Sequence, residues 1–126
     1  MPFSDPYYYL SSIYESIVAV EGFIEGMIFE EFCADEKTVA AVERKLSVIS
    51  EAAVRLGEEG PRLCPDIPWR NVRGIGNWLR HQYDRVDRET IWTTVERDLP
   101  AMKAFVFQAL ERERRKAQPP ASAAPE

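Results

Sequence analysis

The sequence predicts an all-α protein, an antiparallel bundle of four to five helices. Three observations carry that reading: apolar residues recur at three and four positions instead of at two, capping and breaking residues stand at the ends of these runs, and the connections between runs are short. With 126 residues, 45% of them hydrophobic, the chain has the size of one domain and can fill a core without disulfides or metal.

The elements follow in order. Ile13, Ile17, Val20, Ile24 and Met27/Ile28 form one stripe, so a first helix is expected from about Tyr7 to about Phe29. Asp35 suits the N-cap of a second helix, in which Val39, Val42, Leu46, Ile49, Ala53 and Leu56 make an unbroken series. That helix should stop near Gly57 or Gly60, with a loop through Pro61, Pro65 and Pro68 after it. Pro68 fits the first turn of a third helix, where its missing N–H is not needed, with Asp66 as a candidate cap.

At roughly 100° per residue, Val72, Ile75 and Leu79 fall in one arc of this third helix, and Arg70, Arg73, Asn77, Arg80 and His81 gather on the other. The helix therefore has an apolar face and a basic one, and it should end near His81. Gly74 and Gly76 weaken it by about 1 kcal/mol each relative to alanine, which points to a close approach by another backbone or by a ligand. Asp87 can cap a fourth helix carrying Ile91, Val95 and Leu99, and Pro100 must kink that helix or begin a fifth. Met102, Phe105, Val106, Ala109 and Leu110 continue an apolar stripe, and Glu111 to Lys116 form a charged, solvated end. Residues 1–115 are expected to make the helical domain and residues 116–126 a disordered tail, since Gln118 to Glu126 offer nothing large enough to pack.

Charge and composition narrow the function classes. A formal charge of −5 and a pI near 5.0 argue against a surface that coats nucleic acid generally, so phosphate binding requires a local basic patch. No apolar run is long enough for a membrane span, and Met1 to Asp5 lack the features of a signal peptide, so a cytoplasmic protein without a membrane role is expected. Cys33 and Cys64 match no metal or redox spacing and read as reduced, buried thiols.

The basic patch is the stretch Arg73 to Tyr83, which holds the only histidine of the chain. Histidine trades protons near neutral pH, and arginine offers a fixed fork of donors for phosphate. With no cluster of carboxylates or cysteines nearby, the stretch does not read as a metal site, and no metal or cofactor is expected. Phosphodiester cleavage in RNA fits better, because the 2′-hydroxyl can attack the adjacent phosphate while the protein supplies proton transfer and charge stabilisation. Both a base and an acid assist such cleavage, yet each chain holds one histidine; a homodimer placing two copies of His81 across its axis would supply both. Tyr83 can stand beside His81 if the helix ends there, presenting a hydroxyl that donates, accepts or is modified; otherwise it is a core or interface tyrosine.

These residues resemble a known family. The segments Ala34 to Thr38, Val42 to Ala53, Pro65 to Arg70, Gly74 to Tyr83, Ile91-Trp92 and Asp98 to Pro100 are together similar to the HEPN-domain toxins of the HepT type, from prokaryotic HepT/MntA toxin–antitoxin pairs. The resemblance extends from about Leu10 to about Leu110. It implies a HEPN-like bundle of four or five helices, dimerisation that forms a composite cleft, and ribonuclease activity without an obligatory metal. It also implies a partner, a minimal MntA-like nucleotidyltransferase antitoxin that adds AMP to the motif tyrosine, here Tyr83, and so silences a type VII toxin. The family motif runs arginine, four to six residues, histidine, any residue, tyrosine, and its arginine position aligns with Gly76. Arg73 stands seven residues further from His81 than the adjacent Arg80, and either could take the phosphate. Arg70 and Asn77 are candidate phosphate or RNA contacts, and Arg44 and Glu51 either support the site or pair with each other across two turns. The alternative is a non-catalytic member that binds nucleotide or RNA beside a nucleotidyltransferase, and a third reading is a structural helical dimer.

Overall fold

A short carboxylate placed just ahead of a helix accepts a bond from a first-turn N–H that has no intrahelical partner. In the computed structural model, which describes residues 5–80 and 87–117, this happens three times. Asp5 accepts from the Tyr7 N–H at 3.0 Å, Asp35 from Thr38 at 3.1 Å and Asp87 from Glu89 at 3.2 Å. The helices are α1 Pro6–Phe23, α2 Phe29–Ala34, α3 Glu36–Leu56, α4 Glu59–Leu63, α5 Trp69–Arg80, α6 Arg88–Thr93 and α7 Leu99–Ala117. No strand occurs among the described residues. The all-α class is therefore the one the chain adopts, with more and shorter helices than its periodicity suggests.

Four departures have local causes. The first helix stops at Phe23 rather than near Phe29, because Gly26 takes a left-handed φ of 78° that turns the chain into α2. Ile24 and Met27 still pack on the core, which is why their spacing imitates a continuing helix. Between Gly57, whose φ is 54°, and Pro68 the chain forms α4 instead of an unbroken loop, with Pro61 in its first turn. Asp66 makes no capping bond among the described residues, and α5 starts as Val72 donates to the Pro68 carbonyl at 3.1 Å. A π-helical turn, Thr94–Asp98, joins α6 to α7. There the Leu99 N–H reaches back five residues to Thr94, a wider turn that carries the helix past Pro100, which has no N–H and would crowd a regular turn.

α3 is the central helix, packed against α1 on one side and α5 on the other, while α1 also packs on α7. Residue pairs give the directions. Glu21 meets Lys103 at 2.8 Å and Tyr14 stacks near Phe107 at 6.0 Å, so α1 and α7 run antiparallel. Ser50, late in α3, reaches Arg73 and Gly76, while the earlier Ala40 to Ser47 lie beside Leu79 and Arg80, so α3 and α5 do likewise. The periodic residues of α3, from Val39 to Leu56, are all buried. α2 closes one end of the bundle with Phe32, fully buried and 5.1 Å from the Trp92 ring. Cys64 is buried and Cys33 only half-buried, both without a disulfide. α7 continues through Ala117, and residues 118–126 of the expected tail lie outside the described residues.

Candidate functional site

Among the described residues α5 has the apolar and basic faces expected of the third helix, with Leu79 half-buried. Trp69, Val72 and Ile75 are buried, while Arg70, Arg73, Asn77 and Arg80 are exposed. Spacings of three, four and three place these four polar side chains in one stripe. Among the described residues no carboxylate pairs with Arg70, Arg73 or Arg80, although most other arginines of the bundle are paired. Unpaired guanidinium groups in a row leave their donors available to successive phosphates. His81 and Tyr83 lie outside the described residues; the chain reaches them directly from Arg80.

At Gly76 the backbone of α5 meets the Ser50 side chain of α3. The Ser50 hydroxyl donates to the Arg73 carbonyl and accepts from the Gly76 N–H, each at 2.9 Å. A Cβ at Gly76 would stand 2.9 Å from Ser50 Oγ and 3.4 Å from Arg80 Nη1. Gly74 has no neighbour within 4 Å of such an atom, so only one of the two glycines marks a close approach. The contact is with packed protein, and the Arg80 guanidinium folds back beside the space that a side chain from position 76 would enter. Ser50→Ala removes a buried hydroxyl that joins two helices and is expected to lower stability by about 1–2 kcal/mol in urea denaturation.

On the other side of Arg80 a shallow groove of about 310 Å³ is lined by Ala40, Glu43, Arg44 and Ser47 of α3 and by Leu79 and Arg80 of α5. Arg44 therefore stands at the groove. Glu51 does not pair with it; Glu51 binds Arg55 at 3.1 Å, one turn on and much closer in space than a residue two turns away. Arg88 fixes the point at which the chain rejoins α6, donating to the Cys33 carbonyl at 2.6 Å and to Glu36 at 2.9 Å. Arg80 thus shares a groove with α3, and Arg88 is held by the end of α2 and the first residue of α3.

Glu43 and Ser47 were not legible as site residues in the sequence. Their only signal is the spacing 40, 43, 44, 47, which puts them on one edge of α3. Burial raises the pKa of Glu43 above the usual carboxylate value, with Glu36 adding to the rise and Arg88 opposing it. Folding thus disfavours the ionised form, a penalty present above the folded pKa that fades as pH falls toward the unfolded value. Glu43→Gln is expected to raise thermal stability at pH 7, by less than about 1 kcal/mol after solvent screening, and to leave it unchanged near the acid end of the carboxylate range.

The fold and α5 define a small all-α protein with an arginine stripe that has no carboxylate partner among the described residues and runs in sequence up to the chain's only histidine. The chain belongs to the HepT-like family, described as ribonuclease HepT-like, whose profile matches residues 13–109. It is 40% identical over 95 residues to the probable ribonuclease HepT of Thermococcus cleftensis, covering 75% of this chain and 86% of that protein. It is 35% identical over 100 residues to a Methanocaldococcus jannaschii protein named "Putative RNase MJ0127", covering 79% of this chain and 83% of that one. No solved structure matches significantly. No helix among the described residues is long and apolar enough to cross a membrane.

Proposed function

We propose that this chain is a metal-independent endoribonuclease, the toxin of a type VII toxin–antitoxin system, and that a cognate nucleotidyltransferase silences it by adding AMP to Tyr83. The observation that best supports this is the position of Arg80. Its guanidinium lies beside the space over Gly76, where the family motif carries its arginine, and at the end of the stripe next to His81. Arg80 is thus the arginine that holds the phosphate, in preference to Arg73.

In the reaction, the 2′-oxygen bonds to the adjacent phosphorus, the P–O5′ bond breaks and a 2′,3′-cyclic phosphate remains. One copy of His81 takes the proton of the 2′-hydroxyl and a second, from the partner subunit of a homodimer, returns one to the leaving 5′-oxygen. Arg80 stabilises the charge that builds on the phosphate oxygens, with Arg70, Arg73 and Asn77 holding flanking phosphates. Arg44 lends positive charge from the groove. An AMP group on Tyr83 would bring negative charge and bulk beside His81 and compete with RNA for the same arginines.

The glycine at the motif arginine position favours a second reading, a non-catalytic member that binds RNA or nucleotide beside its nucleotidyltransferase. RNA incubated with purified protein in chelator separates the two. Cleavage leaving 2′,3′-cyclic phosphate ends, lost in His81→Ala, is the expected result; binding without cleavage by protein whose intact mass carries no AMP would overturn the ribonuclease reading.

A further inference from the structure

α5 has a second polar edge that the phosphate stripe does not use. Between α5 and the path α6, π turn, α7 lies a cavity of about 290 Å³. Its floor is apolar, with Val72, Ile75 and Phe105, and the Trp78 indole stands at its wall. Its rim is polar: Asn71 comes from α5, Arg97 and Asp98 from the π turn, and Asp66 from the loop before α5. Asn71 and Trp78, which line the cavity, follow Arg70 and Asn77 of the stripe in sequence, so the cavity lies about a quarter-turn around α5 from it.

The charges decide what fits. Two carboxylates at the rim repel a phosphate, so the RNA backbone stays on the arginines and what enters the cavity is uncharged. An apolar floor with an indole suits the face of a nucleobase, and single-stranded RNA is read by stacking together with hydrogen bonds to base edges. Arg97 and Asp98 are adjacent in sequence and only loosely paired, Nε to Oδ1 at 3.8 Å with both side chains exposed, so each is available to a ligand. A carboxylate accepts from N–H groups and a guanidinium donates to O6 and N7; guanine is the base that offers N1–H and an amino group beside O6 and N7.

We propose that this cavity is a guanine-reading subsite: the base of a nucleotide whose phosphate lies on the Arg70–Asn77 edge enters it, stacks on Trp78, and is recognised by Asp98 and Arg97. The proposal rests on the ribonuclease reading for its RNA ligand, and its test does not depend on catalysis. Affinities of the full chain for GMP, AMP, CMP and UMP are measured by calorimetry, for the unaltered protein and for Asp98→Asn, whose exposed position spares the core. The expected result is GMP bound about tenfold more tightly than the other three, with that margin lost in Asp98→Asn. Equal affinities, a preference for another base, or a guanine preference that survives in Asp98→Asn would each overturn the subsite. A guanine preference without RNA cleavage would support the subsite and count against the ribonuclease reading alone.

Discussion

Arg80→Ala is expected to slow RNA cleavage by about 10²–10³-fold, the usual loss when one preorganised donor to a developing oxyanion is removed. Arg73→Ala is expected to slow it by less than about tenfold, as a lost binding contact on an exposed stripe. The difference follows from placement. Ser50 ties down the Arg73 carbonyl, and Arg73 stands eight positions before His81 in sequence, whereas Arg80 immediately precedes His81 in sequence and its guanidinium rests beside Gly76. His81→Ala, which on the proposed mechanism removes the proton carrier, should cost about 10²–10⁴-fold. Single-turnover rates in chelator, with melting curves recorded in parallel, check all three. Both arginines are exposed, so their variants should melt within about 0.5 kcal/mol of the parent. A greater loss in Arg73→Ala than in Arg80→Ala would reassign the phosphate contact.

Gly76→Arg, which puts an arginine at the position the resemblance aligns with the motif arginine, is expected to reduce stability by about 1–3 kcal/mol and to yield no gain in cleavage. The new Cβ would press on Ser50 Oγ at 2.9 Å, and the hydroxyl cannot turn away without giving up its bonds to the Arg73 carbonyl and the Gly76 N–H. The side chain would also meet the Arg80 guanidinium, adding like-charge repulsion at that point. For a chain of this size the loss should appear as a drop in Tm of several degrees, at about 4 °C or more per kcal/mol. An unchanged Tm with faster cleavage would mean that α5 can move off α3 and that Arg80 is not the replacement.

Several of these features were open to reading along the chain. Asp35 and Asp87 cap helices as their positions suggest, and the series from Val39 to Leu56 is buried as its spacing requires. Both depend on interactions within one turn. The end of α1 was not readable in the same way, because Ile24 and Met27 keep helical spacing after the helix has stopped and serve the core from a turn. The π turn before Pro100 was equally hidden: a proline announces a disturbance, but whether the helix breaks or widens depends on what packs beside it.

The site divides along the same line. A helix with arginines on one face and Val72 and Ile75 on the other was legible because both faces are set by a local period of the backbone. The contact of Gly76 with Ser50 joins residues 26 apart, and the groove brings Glu43 and Arg44 to Arg80 from another helix. By itself, the sequence determined the helical class and the basic stripe, since helix periodicity acts over a few residues. Only the tertiary structure decided that Gly76 is a packing contact and that the Arg80 guanidinium lies beside it, because these follow from how closely α3 and α5 approach and how their side chains meet.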